Sequence, residues 1–190
     1  MAKFDPKILE DRAWARYAKV TKDKRISPRQ KKNEVRKLND DINVINGLKT
    51  IIEWCESRRI IVKFTNRRSA GSYHNDNKII YINSTQKLEK QLFVLLHECG
   101  HLLIDDPSET TVFRFRHGYY EKNPKLRRKF IHRCAIVEEE LEAWHRGRKL
   151  ASKLGIIIDE YSYDTLKGNF VKTYMKWALK DPNFQADGPE

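Results

Sequence analysis

Apolar side chains recur along most of the chain at spacings that predict helices around two short strands. Over residues 42–55 they repeat every three to four positions, which predicts an amphipathic helix packed on the core. Two short β-branched runs, at residues 60–64 and 78–83, predict strands separated by a polar loop. A denser apolar run then predicts a helix that ends near Ile104, and Asp164 can cap a last helix.

The first forty residues carry most of the positive charge. Between Arg16 and Lys37 there are ten Lys or Arg against Asp23 and Glu34, a net of +8 out of the +12 of the whole chain. An Ile-Ser-Pro segment divides this region into two predicted helices, the second starting near Pro28. We expect a basic helical N-terminal arm at 1–40, a single domain at 41–183 and a polar tail at 184–190.

Such a concentration of positive charge is typical of a surface that contacts nucleic acid or an acidic partner. A solvated helical face gives the same pattern. Trp14 and Tyr17, three residues apart, can stack on bases or pack on the core. The candidates for nucleic-acid contact are Lys24, Arg25, Arg29, Lys31 and Lys32.

The overall composition and the first residues of the sequence predict the cellular compartment of the protein. The pI is near 9.6 and the mean hydropathy is -0.74, and the sequence has no apolar run long enough to span a bilayer. The first residues lack the apolar region of a signal peptide, so we expect a cytoplasmic protein that does not bind membranes. Cys55, Cys99 and Cys134 show no paired spacing and are expected to be reduced thiols.

One motif within the densest apolar run contains residue types that can bind a metal ion and catalyse a reaction. It reads His97-Glu98-Cys99-Gly100-His101. On a helix the two histidines lie one turn apart on the same face, so both imidazoles can bind one tetrahedral zinc ion. Glu98 is offset by one position, from which its carboxylate can act as the general base on a water molecule. Buried imidazoles need polar partners, and a single metal ion supplies them for both.

A catalytic zinc site needs a third protein ligand, for which one candidate is Glu140. At about 100° per residue, Glu140 falls near the centre of an apolar stripe on a predicted helix. Glu138 and Glu142 point to the opposite side and Glu139 lies near the edge. We therefore expect Glu140 to be the only buried carboxylate of this acidic run.

Small residues beside Glu140 predict how its helix meets the motif helix. Ala143 and Gly147 follow on the same stripe, and Gly100 lies within the motif itself. Without large side chains at these positions, we expect the two helices to approach closely.

The other candidate for the third ligand is His117, which is followed by Gly118. It lies sixteen residues after His101, a spacing that resembles the third ligand of SprT-like proteases, which act on DNA-bound proteins. The residues themselves leave the choice between Glu140 and His117 open. If Glu140 is the ligand, His117 would line the cleft.

Residues 95–103, taken with Glu140-Leu141-Glu142-Ala143-Trp144, resemble the ImmA/IrrE group of zinc-dependent peptidases. The resemblance covers roughly residues 41–155. It implies an α+β fold with helices packed on a short β-sheet, a cytoplasmic location, and cleavage of regulatory proteins such as phage or mobile-element repressors. It also implies that His97, His101 and Glu140 bind one Zn²⁺ and that Glu98 is the general base.

The chain departs from the pattern of this group in three places. Trp144 stands where the group has Asn, and Arg146-Gly147 stands where it has Phe-Ala. The separation of thirty-nine residues between His101 and Glu140 is long.

In small zincin peptidases, a strand just before the motif helix lies along the substrate cleft and can hold a peptide by main-chain hydrogen bonds. Residues 78–83 are the candidate here, although an ordinary interior strand is equally consistent with this sequence. The donors that could stabilise the oxyanion or contact substrate are His117, Tyr119 and Tyr73.

Three classes of function remain open from the sequence. The first is a zinc metallopeptidase with a protein or peptide substrate, and the second is a SprT-like DNA-associated protease. The third is a non-catalytic protein with a zinc fold that binds nucleic acid or a host protein. Replacement of Glu98 by Gln would abolish the function of either protease and leave that of the third class intact.

Overall fold

The computed structural model describes residues 6–66, 69–74, 77–105, 118, 121–127 and 129–179. This part of the chain contains six helices and a small three-stranded sheet. The helices are α1 (Pro6–Lys22), α2 (Pro28–Ser57), α3 (Leu88–Ile104), α4 (Pro124–Arg127), α5 (Phe130–Lys153) and α6 (Glu160–Ala178). The strands are β1 (Ile61–Thr65), β2 (Gly71–His74) and β3 (Ile79–Asn83). The predicted α+β class is confirmed.

Helix α2 begins where the sequence predicts and is longer than expected. Its start is fixed by a capping box, in which the Ser27 hydroxyl accepts from the Gln30 backbone N–H and the Gln30 side chain accepts from the Ser27 backbone N–H. From Pro28 the helix runs for 30 residues. It passes residue 40 without a break, so the division into an arm and a domain stays a prediction.

Helices α1 and α2 pack against each other as a hairpin. Near its open end Ala13 of α1 packs with Ile42 and Ile45 of α2, and Leu9 and Leu88 cover this small cluster. Because Leu88 begins α3, the open end of the hairpin is tied to the helix that bears the motif.

The sheet has the strand order β1-β3-β2, with β1 parallel and β2 antiparallel to the central β3. The sequence missed β2, which lies in the segment predicted as a loop. Its four residues, Gly-Ser-Tyr-His, have neither a β-branched side chain nor a clear alternation. Of the two interpretations left open for residues 78–83, the interior strand is confirmed, because β3 is paired on both sides. The alternative, an edge strand that holds substrate, is wrong.

Helix α3 lies at the centre of the fold. It packs against β2 and β3 as well as against α2 and α5, and every residue from Gln91 to Gly100 is buried. A helix that is apolar on nearly all sides is stable only when it is surrounded in this way. The motif is therefore held by rigid neighbours on several sides.

Helix α6 closes the other side of α5, where Ile136 packs with Trp177 and Ala178. It starts at Glu160, earlier than predicted, because Asp159 rather than Asp164 is the N-cap and accepts from the Ser162 backbone N–H at 2.7 Å. Among the described residues, none of the helices combines the length and the apolar character needed to cross a membrane.

Candidate metal centre

Helix α3 places the two histidines of the motif side by side. The Nε2 atoms of His97 and His101 lie 3.3 Å apart, and the two rings meet nearly edge to face. His97 is buried and the His101 side chain is 15% exposed. One turn of helix thus directs two imidazole nitrogens to a common point, and His101 is the more exposed of the two side chains.

Helix α5 brings Glu140 to the same point. One carboxylate oxygen of Glu140 is 3.2 Å from His97 Nε2 and the other is 3.4 Å from His101 Nε2. The ligand atoms of these three residues all lie within 4.8 Å of one another. Two nitrogens and one carboxylate oxygen in this arrangement could hold a metal ion.

The expectation that Glu140 is the only buried carboxylate of its acidic run is wrong. Glu139 and Glu140 are each 2% exposed, whereas Glu138 is exposed. The helical projection assumed one buried stripe, but α5 packs against α3 on one side and α6 on another, so its buried surface is wider. Glu139 is therefore a second acidic group close to the site.

The distance between α3 and α5 is set by small residues, as predicted. A Cβ placed on Gly100 would overlap the backbone oxygen of Ala143, and one placed on Gly147 would lie 2.5 Å from the backbone oxygen of Leu96. Gly100 lies directly before His101, and Ala143 lies one turn after Glu140. The spacing of the three donor atoms therefore depends on the close contact of two helix backbones.

The charges of the donor groups depend on each other. Burial alone would lower the pKa of His101, but the carboxylate of Glu140 outweighs it and raises the pKa of His101 to about 9. Burial alone would raise the pKa of Glu140, but His101 and His97 hold it well below its usual range. At neutral pH the metal-free site therefore contains a buried ion pair, and a metal that binds His101 must displace its proton.

A tryptophan fixes one of the histidine rings. Trp144 is fully buried and stacks on His97 with ring centroids 4.4 Å apart and an angle of 23° between the planes. The Tyr163 hydroxyl donates to the Trp144 backbone oxygen at 2.9 Å, and the two rings meet edge to face. In the sequence analysis Trp144 was noted as a departure from the family pattern. Its position four residues after Glu140 indicates that both side chains lie on the same face of the helix, but it does not indicate contact with His97.

The carboxylate of Glu98 lies under strand β2. The backbone N–H of Tyr73 donates to it. A Cβ on Gly71 would overlap a methyl group of Val94 and lie 2.9 Å from Glu98 Oε1. Burial raises the pKa of Glu98. Sequence reasoning missed this role of β2, since nothing in the segment marks the position of Gly71 above the motif helix.

The other candidate residues lie in three places. Burial, together with the nearby Asp105 and Cys99, raises the pKa of Tyr73 to about 12, so its hydroxyl stays protonated. His117 and Tyr119 fall outside the described residues, which leaves their predicted roles untested. The candidates for nucleic-acid contact lie at the closed end of the α1–α2 hairpin: Lys24 and Arg25 in the turn, and Arg29, Lys31 and Lys32 in the first turns of α2.

Comparison with known proteins gives one match. The family model of the IrrE N-terminal-like domain, which represents the M78 peptidases, matches residues 58–155. This span contains the sheet, the motif helix and Glu140. No curated protein and no solved structure was found to match the chain. Because the match covers 98 of the 190 residues, the chain belongs to the IrrE N-terminal-like family of M78 peptidases.

Proposed function

We propose that the chain is a zinc-dependent metalloendopeptidase that hydrolyses a peptide bond in an intracellular regulatory protein. In this proposal His97, His101 and Glu140 bind one zinc ion, and Glu98 is the general base. Membership of a metallopeptidase family supports the reaction class. The grouping of the three donor residues supports the metal site.

The observation that carries the proposal is the spacing of the donor atoms. Zinc binds histidine nitrogen at about 2.0–2.1 Å and carboxylate oxygen at a similar distance, so two ligand atoms at tetrahedral corners lie about 3.3 Å apart. The three separations are 3.2, 3.3 and 3.4 Å. A charge-assisted hydrogen bond would be shorter, at about 2.7–2.9 Å. This spacing supports the proposal that the three residues bind one ion.

The chemistry follows from the side chains around that point. A zinc ion bound there would polarise the peptide carbonyl and lower the pKa of a water molecule to about 7. Glu98, held by the Tyr73 backbone N–H, would accept a proton from the attacking water on a carboxylate oxygen and pass it to the nitrogen of the leaving amine. The raised pKa of Glu98 makes it a stronger base for this transfer. Tyr73, His117 and Tyr119 remain the candidates to stabilise the oxyanion.

Strand β2 is the structural element best suited to hold the substrate. Within the part of the chain that the structure describes, it is an edge strand that pairs with β3 along one side. It packs on α3 with Gly71 next to Glu98. A peptide that adds to a free strand edge gains main-chain hydrogen bonds whatever its sequence. We therefore assign the substrate strand to β2 instead of residues 78–83.

Metal content tests the ligand assignment. Wild type, Glu140→Gln and Glu139→Gln would be purified without chelator, given zinc, desalted and analysed by plasma mass spectrometry. We expect about one zinc per chain in wild type and in Glu139→Gln, and loss of zinc in Glu140→Gln. The Glu139 variant is a matched control, since it removes a neighbouring buried carboxylate. Retention of zinc by Glu140→Gln would contradict the assignment.

Activity tests the role of Glu98. Zinc-loaded wild type and Glu98→Gln would be incubated with a quenched fluorescent peptide library and with denatured β-casein, and new N-termini would be mapped by mass spectrometry. We expect cleavage by wild type and a loss of at least about 10²-fold in Glu98→Gln, which keeps its zinc. Equal cleavage by both proteins would exclude Glu98 as the base. A zinc-loaded wild type that cleaves neither probe would favour a non-catalytic binding protein.

A further inference from the structure

The closed end of the α1–α2 hairpin carries a charged surface that peptide hydrolysis does not require. We call this surface the basic hairpin and define it as residues 7–37, which include α1, the turn, and the first turns of α2. It lies outside residues 58–155, which match the peptidase family. All three proposed metal ligands and the proposed base lie within the matched span.

Few acidic residues balance the charge of the basic hairpin. It contains twelve Lys or Arg and four Asp or Glu, a net of +8. Asp23 pairs with Arg25, and Glu34 pairs with Arg16 and Lys37. Eight cations have no carboxylate within ion-pair distance among the described residues: Arg12, Lys19, Lys22, Lys24, Arg29, Lys31, Lys32 and Arg36.

Helical geometry places several of these cations on common faces. At about 100° per residue, Arg29, Lys32 and Arg36 fall within about 60° of one another on α2. They lie opposite the buried Leu38, and all three are exposed. The turn adds Lys24 to the same end of the hairpin. Positive charge is therefore concentrated at the closed end of the hairpin. Along α2, this end is the part of the hairpin farthest from its contact with Leu88.

The composition of this surface favours one class of partner. Lysine is depleted at the centre of protein–protein interfaces, whereas a phosphate backbone binds Lys and Arg alike. Insertion into a membrane would need a continuous apolar face on α1, but Leu9 and Ala13 are packed against α2. The exposed apolar side chains of α1, Ile8 and Trp14, lie about 120° apart around the helix and form no such face. Trp14 is 49% exposed and lies edge-on to Tyr17 on the same hairpin, and an exposed aromatic ring can stack on a nucleic-acid base.

We propose that the closed end of the basic hairpin binds the phosphate backbone of duplex nucleic acid without reading its sequence. From Arg29 to Arg36 the helix rises about 10 Å, a length over which a duplex presents about six phosphate charges. Four to five simultaneous contacts are therefore within reach. This binding is independent of the proposed peptidase chemistry, so zinc-loaded Glu98→Gln binds as well as wild type.

The expected salt dependence follows from the number of contacts. The logarithm of the association constant falls with the logarithm of salt concentration with a slope of about -0.9 per phosphate contact. Four to five contacts give a slope of about -4. By the same relation, each phosphate contact raises the association constant about tenfold at 50 mM salt. Loss of three cations at the closed end should weaken binding at least a hundredfold.

Fluorescence anisotropy of the full chain with labelled 20-base-pair DNA and RNA duplexes tests the proposal. The test variant is the triple replacement Lys24→Gln, Arg29→Gln and Lys32→Gln. The matched control removes three exposed cations from α5 and α6: Lys149→Gln, Lys153→Gln and Lys172→Gln. We expect micromolar binding of both duplexes at 50 mM salt, a hundredfold loss in the test variant, and a loss below fivefold in the control. Circular dichroism would verify that both variants are folded.

Three results would overturn the proposal. The first is the absence of binding by wild type at 20 µM protein and 50 mM salt. The second is an equal loss of affinity in the test and control variants, since it would show that binding depends on the net charge of the protein and not on a particular surface. The third is binding of poly-glutamate, or of vesicles with anionic lipid, as tight as binding of the duplexes. A preference for DNA or for RNA would identify the source of the phosphate backbone.

Discussion

Substitution of Trp144 tests whether the orientation of the His97 ring affects metal binding at the proposed metal centre. Metal-binding histidines usually donate their second ring N–H to a carboxylate, a carbonyl or water, which fixes the ring. His97 Nδ1 is buried and has no hydrogen-bond partner among the described residues. The stacked indole of Trp144 is therefore a main contact of this ring besides those of its Nε2 atom with Glu140 and His101. We expect its loss to weaken metal binding.

The size of the effect can be set from the contacts. Stacked aromatic pairs contribute about 0.5–1.5 kcal/mol beyond the burial of their area, which corresponds to roughly a 2- to 13-fold change in affinity. Removal of a buried Trp side chain also costs up to about 3–5 kcal/mol of folding free energy. The two effects must be separated, since Trp144 is fully buried and also contacts Tyr163 and Phe170.

Trp177→Leu provides the matched control for Trp144→Leu. Trp177 is 6% exposed and packs with Ile136, and its indole nitrogen, like that of Trp144, is buried without a partner among the described residues. Zinc affinity would be measured by competition with a chromophoric chelator, and the free energy of unfolding of the metal-free protein by urea titration. We expect both variants to lose stability and Trp144→Leu alone to lose zinc affinity, within the range above. Equal zinc affinity of Trp144→Leu and wild type would refute the reasoning, as would an equal loss in Trp177→Leu.

Three other substitutions or conditions test neighbouring contacts. Gly71→Ala should lower kcat/KM at least tenfold at full zinc content, because the new methyl group contacts Glu98. Its control is Gly168→Ala, where the new methyl group enters open space on α6. This control should leave activity unchanged and stabilise the protein by up to about 1 kcal/mol. Gly100→Ala should reduce bound zinc and cost about 1–3 kcal/mol of folding free energy, measured by metal analysis and urea titration, since α3 and α5 must separate. Zinc affinity should rise about tenfold per pH unit from pH 7 and level off near pH 9, because zinc displaces the proton of His101; pH-independent affinity in competition titrations would contradict this.

The pKa of His101 also has a consequence for the stability of the metal-free protein. Its folded-state pKa, about 9, is above the usual histidine value of 6.5. The ion pair with Glu140, whose own pKa is held below its usual value of 4.5, therefore stabilises the metal-free fold most between about pH 4.5 and 6.5. This stabilisation decreases as the pH rises through 9 and as it falls below 4.5. Between about pH 7 and 9, zinc affinity and metal-free stability thus change with pH in opposite directions.

The parts of the site that depend on local spacing could be predicted from the sequence. His97 and His101 share a helix face by their separation alone, and the burial of Glu140 follows from the apolar stripe around it, although the residues alone left His117 as an alternative ligand. Ala143 and Gly100 predicted the close helix contact, because side chains this small leave room for two helix backbones to touch. These predictions required only the period of a helix.

The parts that depend on tertiary contacts could not be predicted in this way. Glu139 is buried because two helices cover α5, and a helical projection cannot show how many neighbours a helix has. Strand β2 is held by pairing with β3 and by packing on α3, whereas its own residues have little preference for a strand. The stack of Trp144 on His97 joins residues 47 positions apart, so it became visible only with the fold.

The geometry of the proposed site depends on residues other than its three proposed ligands and the proposed base. The three donor atoms lie 3.2–3.4 Å apart where Gly100 and Ala143 allow two helix backbones to touch. The ring of His97 is covered by Trp144. Each contact joins α3 to α5 and includes at least one residue that is not a proposed ligand: Gly100 and Ala143 in the first, Trp144 in the second. A substitution at the α3–α5 contact can therefore abolish metal binding while the His-Glu-x-x-His motif stays intact, so the presence of the motif in a related chain does not establish that its centre binds metal.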